Sequence, residues 1–315
     1  MGKLNELLNK QETIILDGAL GTEMEYQGYD ISGELWSAQY LLNQPEVIRQ
    51  IHEAYVEAGS DIITTASYQA TIPGLVKADL SEEEAVDVIS STVTLAQEAI
   101  KLVWEKLPPA NREGRSYPLV AGSVGPYAAY LADGSEYTGL YQVTAEDLRA
   151  FHRPRIEALV GAGADFLAIE TIPNFLEVEV LVALLQEEFP AVDAYLSFTS
   201  QDGLHLSDGT PIGLATEQCQ LAENIRAVGV NCTAPHLIQG LIQEMARVTD
   251  KPLLTYPNSG EIYDGQSKTW YDDPDHDHTL AENSLIWKTE GVRLFGGCCR
   301  TRPSDITELA QKLKV

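Results

Sequence analysis

Short apolar runs and amphipathic stretches alternate along the whole chain. The apolar runs are TIILDG (13–18), DIITTAS (61–67), PLVAGSVG (118–125), DFLAIET (165–171), DAYLSFT (193–199), AVGVNC (227–232), PLLTYPNSG (252–260) and RLFGGCC (293–299). They are continuous rather than alternating, which is the pattern of parallel strands buried on both faces. Segments of helical period lie between them. Residues 45–58 open with Pro45, suited to a first helical position, and put Ile48, Ile51, Tyr55 and Ala58 on one stripe. Residues 82–106 follow the capping pair Ser81 and Glu84 and carry Ala85, Ile89, Val93, Ala96, Ile100 and Val103 on theirs. Residues 145–161 follow a second capping pair, Thr144 and Asp147, and Pro154 is expected to kink that helix or end it early. Further helices are predicted over 175–188, 213–224, 235–248, 279–290 and 303–313.

Two junctions read alike. EAGSDIITT (57–65) and GAGADFLAIET (161–171) each place a helix-stopping glycine, then an aspartate, then a strand. Eight strand–helix units predict α/β architecture of one kind, a single (β/α)8 TIM barrel, over an open doubly wound sheet. No linker or shift of composition divides the chain, so residues 1–315 are expected to form one domain. Long loops are predicted after the first strand (18–43) and after the seventh (256–278). In such barrels the loops at the C-terminal ends of the strands carry the active site.

Composition adds limits. With 44% hydrophobic and 22% charged residues the chain is of ordinary globular type, large enough to bury a core without staples. Lys and Arg number 21 against 47 Asp and Glu, a formal net charge of −26, which argues against nucleic acid or an anionic membrane as partner. No apolar run approaches the roughly 20 residues of a transmembrane helix. The opening MGKLNELLNKQE is too polar for a secretory signal, so a cytoplasmic location is expected.

The candidate chemistry collects at strand ends. Cys298 and Cys299 lie in GGCCRT after the eighth run, and Cys232 ends the sixth in GVNC. A barrel brings those ends to one rim, where three thiolates with an open fourth position form a catalytic type of zinc site. Buried inert thiols or a vicinal disulfide switch are the alternatives. The fourth cysteine, Cys219, falls inside a helical pattern and reads as packing. Asp17 ends the first run in LDGALGTE, beside Gly18 and Gly21, whose spacing is not a nucleotide fingerprint. Glu170 ends the fourth in AIET. A carboxylate on the rim can hold a substrate ammonium or act as a base, and it can equally be a loop cap or an ion-pair partner. A glycosidase-like pair of Asp17 and Glu170 would leave the cysteines unexplained. Asp275, His276, Asp277 and His278 offer hard metal ligands in an acidic loop. Trp36, Tyr68, Tyr127, Tyr130, Tyr256 and Trp270 lie near strand ends, where ring faces can attract a cation.

LDGALGTE, AIETIPN, GVNC, YPNSGEIYD and GGCCRT follow one another in an order that resembles the homocysteine S-methyltransferases, over residues 10–313. YPNSGEIYD with the following Lys268 and Trp270 is most similar to the branch that takes S-methylmethionine as methyl donor. The resemblance implies a Zn2+ ion on Cys232, Cys298 and Cys299, with methyl transfer from a sulfonium to the thiolate of L-homocysteine, giving methionine. It implies that Glu170 holds the homocysteine ammonium, that Asp17 and Gly18 line the same pocket, and that Asn231 lies next to the metal. Trp36 and Tyr68 resemble positions that wall the donor pocket of the betaine-using branch, but Gln69 stands where that branch has a second aromatic. The alternatives are an S-adenosylmethionine- or betaine-dependent enzyme, or a non-enzymatic zinc or thiol-redox barrel protein. Glycine-rich nucleotide loops are not apparent, and the modules of the cobalamin-dependent branch are absent from these 315 residues.

Overall fold

The computed structural model describes residues 2–31, 37–264, 269–271 and 278–314. The eight barrel strands, in chain order, are Ile14–Ile15, Ile62–Thr64, Leu119–Val124, Phe166–Ile172, Ala194–Phe198, Ile225–Asn231, Leu253–Tyr256 and Val292–Phe295. Every ladder between them is parallel, and each of the eight apolar runs supplies one strand. They form a (β/α)8 barrel. The sheet runs from the first strand to the eighth, seventh and on down to the second, so among the described residues no backbone ladder joins the first to the second.

That seam is closed by one backbone bond and by side chains. The amide of Asp61 donates to Ile15 O (2.7 Å), and the Asp61 carboxylate accepts the Ile15 N–H (2.8 Å). Higher up, Asp17 accepts both the amide (2.7 Å) and the hydroxyl (2.9 Å) of Thr64. The repeated junction noted in the sequence now has a physical reason. Gly59 and Gly163 end their helices at φ +112° and +88°, backbone that glycine adopts without strain. Asp165 then grips Val120 as Asp61 grips Ile15, by Asp165 N–H to Val120 O (2.9 Å) and Val120 N–H to its carboxylate (2.7 Å). Asp61→Ala would leave the buried Ile15 amide unpaired and should cost about 2 kcal/mol. Urea unfolding should show it, with Asp61→Asn retaining much of the stability because it keeps an acceptor.

Alternation along the strands separates two cores. Leu16, Ile62, Ala121, Phe166, Ala168, Tyr195, Ala227, Leu254 and Leu294 pack together inside the barrel, while Ile15, Ile63, Val120, Leu167, Ile169 and Leu196 face the surrounding helices. A helix that the sequence reading does not anticipate, Lys3–Lys10, adds Leu4, Leu7 and Leu8 to the inner cluster and closes the N-terminal end of the barrel. Arg293 binds its last carbonyls, donating to Leu8 O and Gln11 O at 2.7 Å.

The outer helices are Pro45–Ala58, Glu82–Lys106, Ala145–Gly161, Phe175–Glu188, Ile212–Gln218, Pro235–Ala246, Leu280–Thr289 and Pro303–Leu313. Capping boxes form at Ser81 and Thr144. Pro154 does not end its helix, which continues to Gly161; buried Phe151, His152, Arg155 and Ile156 anchor the turns on either side, and their packing outweighs one lost hydrogen bond. The helix expected over 213–224 is shorter and passes into a 3-10 turn, Cys219–Leu221. The two long loops are partly structured, the first by helices Leu20–Tyr26 and Ala38–Asn43 and the second by a hairpin of Ile262–Asp264 with Thr269–Tyr271. Among the described residues no helix is long and apolar enough to cross a membrane.

Candidate active site

Two strand ends, those of the sixth and eighth strands, bring three sulfurs together. The Sγ atoms of Cys232, Cys298 and Cys299 lie within 4.8 Å of one another, and Cys232 and Cys299 are 3.7 Å apart. Thiolates at about 2.3 Å from a tetrahedral zinc lie about 3.8 Å from each other, the spacing that Cys232 and Cys299 already have. Among the described residues this is the one grouping of three metal-type ligands so close. All three are half-buried and free of disulfides. Hydrogen bonds from the other two thiols hold Cys299 well below the usual thiol range.

The backbone that presents them is strained and tightly tied. Cys232 has φ +49°, a left-handed conformation that costs a non-glycine residue about 1 kcal/mol or more. Its amide donates to Tyr256 O (3.2 Å). Cys298 N–H donates to Pro257 O (2.7 Å), while the Cys298 carbonyl accepts from the amide and the hydroxyl of Thr301 (3.1 and 2.6 Å). Cys299 O accepts the Ser259 amide (3.0 Å). Just ahead, a methyl group on Gly297 would meet Thr301 Oγ1 at 2.3 Å, which is why this turn needs glycine.

Glu170 and Asp17 lie at the same end of the barrel. Glu170 accepts hydrogen bonds from Ser123 Oγ and from Tyr256 OH (3.1 Å). Burial pushes it up to about 7, against the lowering effect of the Ser123 bond and with the Cys298 charge adding to the rise. Asp17 also rises to about 7 through burial, opposed by its two bonds to Thr64 and assisted by the charge of Glu170. Gly18 packs beneath Tyr55 and Thr301, where a methyl would sit 3.0 Å from each.

Asn231 is buried and works on the chain itself. Its Oδ1 accepts from Thr171 N and Ser197 Oγ (each 2.8 Å), and its Nδ2 donates to Thr171 Oγ1 (2.7 Å). Thr171 follows Glu170 and has φ +63°, an outlier for a β-branched residue. Asn231 therefore holds the strained Thr171 near the end of the fourth strand, just after Glu170, while standing next to Cys232 in the chain. Tyr68 is half-buried; burial and then the charge of Cys232 raise its phenol well above the usual range, and Thr171 is its hydroxyl partner. Trp36, Lys268 and Asp275–Asp277 lie outside the described residues, as does the Trp270 side chain. His278 is exposed and 3.8 Å from Glu282, away from the cysteines in any ligand grouping. Ser123, Thr64, Ser197 and Thr301 escape the sequence reading because hydroxyls at strand ends carry no distinguishing pattern.

The family model described as homocysteine S-methyltransferase matches residues 14–313. The chain belongs to the homocysteine S-methyltransferase family. It is 46% identical over 306 residues to the homocysteine S-methyltransferase of Escherichia coli (strain K12), covering 97% of each chain. It is 44% identical over 310 residues to homocysteine S-methyltransferase YbgG of Bacillus subtilis (strain 168), covering 98% of this chain and 97% of that one. A crystal structure of the Escherichia coli homocysteine methyltransferase MmuM in its metallated form superposes with a TM-score of 0.86 at 43% identity, covering 99% of each chain. This homocysteine S-methyltransferase is thus an enzyme acting on a small-molecule thiol, and its cysteine cluster is suited to a metal.

The two buried carboxyls make its stability depend on pH. Their folded-state values, about 7, exceed the ordinary 3.8 and 4.5. For groups raised in this way the stabilising contribution is complete below the unfolded values and is lost as pH rises through the folded ones. The substrate-free homocysteine S-methyltransferase should therefore melt at a lower temperature at pH 8 than at pH 6. Calorimetry on wild type and on Asp17→Asn should show that slope reduced in the variant.

Proposed function

We propose that the enzyme transfers a methyl group from a sulfonium donor, S-methylmethionine, to the sulfur of L-homocysteine, with Zn2+ held by Cys232, Cys298 and Cys299. The reading is carried by one juxtaposition, three sulfurs within 4.8 Å at the same end of the barrel as two buried carboxyls. Bound there, zinc supplies Lewis acidity that keeps a thiol sulfur deprotonated at neutral pH, where a free thiol with a pKa near 8.5 is mostly protonated.

The protein's own residues position the reactants. Glu170, fixed by Ser123 and Tyr256, holds the homocysteine ammonium, and Asp17 with Gly18 lines that pocket. Asn231 keeps the strand end after Glu170 in place. The homocysteine thiolate attacks the donor methyl in line; a sulfur–carbon bond forms as the sulfonium–carbon bond breaks, and the thiol proton leaves to solvent. Opposite charges are neutralised along this path, so aromatic walls and excluded water favour it more than fixed countercharges do. Tyr68 and Trp36 are assigned to the donor side.

The test is methionine formation by reduced, zinc-loaded enzyme from L-homocysteine with S-methylmethionine as sole donor. Two methionines per turnover are expected. Turnover with S-adenosylmethionine or betaine but not with S-methylmethionine would overturn the donor, and full activity after complete removal of zinc would overturn the metal.

A further inference from the structure

Behind Tyr68 lies a buried line of polar side chains that this chemistry leaves without a task. Arg155 and His152, on the helix Ala145–Gly161, and Glu177, on the next helix, are each no more than 1% exposed. Arg155 donates from Nη2 to Gly125 O and to His152 Nδ1 (3.1 Å), and from Nη1 to Tyr68 O (3.3 Å). Because Nδ1 accepts, the imidazole proton lies on Nε2, which donates to Glu177 Oε1 (2.6 Å). Glu177 also accepts the Tyr127 amide (2.7 Å) and the Tyr141 hydroxyl. The guanidinium and the carboxylate thus balance each other through a neutral imidazole, whose ordinary pKa burial lowers.

The targets of this line are informative. Tyr68 O follows the second strand, Gly125 O and Tyr127 N–H follow the third, and Tyr141 lies farther along that connection. The Tyr68 ring rests on Gly125, where an added methyl would be 2.7 Å from it. At its other end the phenol meets Thr171 and the field of Cys232. Mere filling of space is done more cheaply by an apolar side chain than by a buried arginine. Holding two carbonyls at fixed points is something no apolar side chain can do.

We infer that Arg155, coupled through His152 to Glu177, is a positioning residue that fixes Tyr68 and the Gly125–Tyr127 turn beside the cysteine cluster and so sets recognition of the methyl donor. The inference rests on the reading of Tyr68 as a donor-side wall. It separates two classes of residue at one site, since the homocysteine side is organised by Ser123, Tyr256 and Asn231 instead.

Steady-state kinetics of Arg155→Met, which keeps volume and loses the donors, test it with S-methylmethionine, or S-adenosylmethionine if only that donor supports turnover. The donor KM should rise about tenfold, the scale of one charge-assisted hydrogen bond. The homocysteine KM and the bound metal should stay at wild-type values, and Arg155→Lys should recover part of the loss. Combined with Tyr68→Ala, the effect should be less than additive, because both changes act on one contact. An unchanged donor KM, an equal rise in both KM values or full additivity would overturn the positioning role. Should Arg155→Met not fold, Glu177→Gln carries the same readouts with little change in volume. Tyr68→Ala alone judges the donor wall: if it leaves the donor KM unchanged, that assignment falls whatever Arg155 does.

Discussion

Cys298→Ser and Cys299→Ser are each expected to lose bound metal and to cut methyl transfer by well over a hundredfold, since even partners of metal ligands are worth about 10–100-fold. The sulfurs sit within 4.8 Å of one another, so removing one opens a gap that the other two cannot close. A serine hydroxyl nearly fits the space, but it is a hard, neutral donor where a soft anionic one is needed. Fold should survive, because the turn is held by backbone bonds from Cys298 and Cys299 to Pro257, Ser259 and Thr301 that do not involve sulfur. Metal analysis, activity and melting temperature measured together separate these effects. Cys219→Ser is the control: Cys219 is buried at the start of the 3-10 turn, bonded to Ala215 O (3.4 Å), and its variant should keep metal and turnover. Full metal content in Cys298→Ser would end the three-thiolate assignment.

Glu170→Gln should raise the homocysteine KM by roughly 10–100-fold, the worth of a charge-assisted hydrogen bond inside a protein, while leaving bound metal intact. Glutamine keeps an acceptor for Ser123 or Tyr256, so the barrel interior loses little. What disappears is the negative charge opposite an ammonium. The same loss should be imposed on wild type by pH. With Glu170 near 7, the protonated form grows as pH falls below that value, so homocysteine binding should weaken on the acid side in wild type and lose that dependence in Glu170→Gln. An unchanged KM in the variant would remove Glu170 from the amino-acid pocket.

The barrel was legible because each strand is a continuous apolar run between capped helices: Ser81 with Glu84, and Thr144 with Asp147, close their capping boxes as the spacing predicts. The convergence of Cys232 with Cys298 and Cys299 was legible for the same reason, since strand ends of a barrel share a rim. Other features were hidden by distance along the chain. The bond of His152 to Glu177 and the reach of Arg155 to Gly125 and Tyr68 join residues whose partnership no local spacing announces. The early end considered at Pro154 misleads in the opposite way, because a local rule for stopping helices meets buried neighbours that hold the helix together. The N-terminal helix is a third case. Leu4, Leu7 and Leu8 make a short stripe in a polar segment, and its value appears only against the open end of the barrel.

Asp17 is a hoop fastener and, in the proposed reading, a pocket residue as well. The barrel's circumference is complete except between its first two strands, where Asp61 and Asp17 act as two clasps in place of a ladder. On that reading the upper clasp borrows the carboxylate assigned to the amino-acid pocket. Ligand occupancy and mechanical closure of the hoop would then be coupled through one group. A bound ammonium that held Asp17 ionised would strengthen its grip on Thr64, so filling the pocket would tighten the least secured stretch of the wall, and the empty enzyme would be the form whose first two strands part most readily.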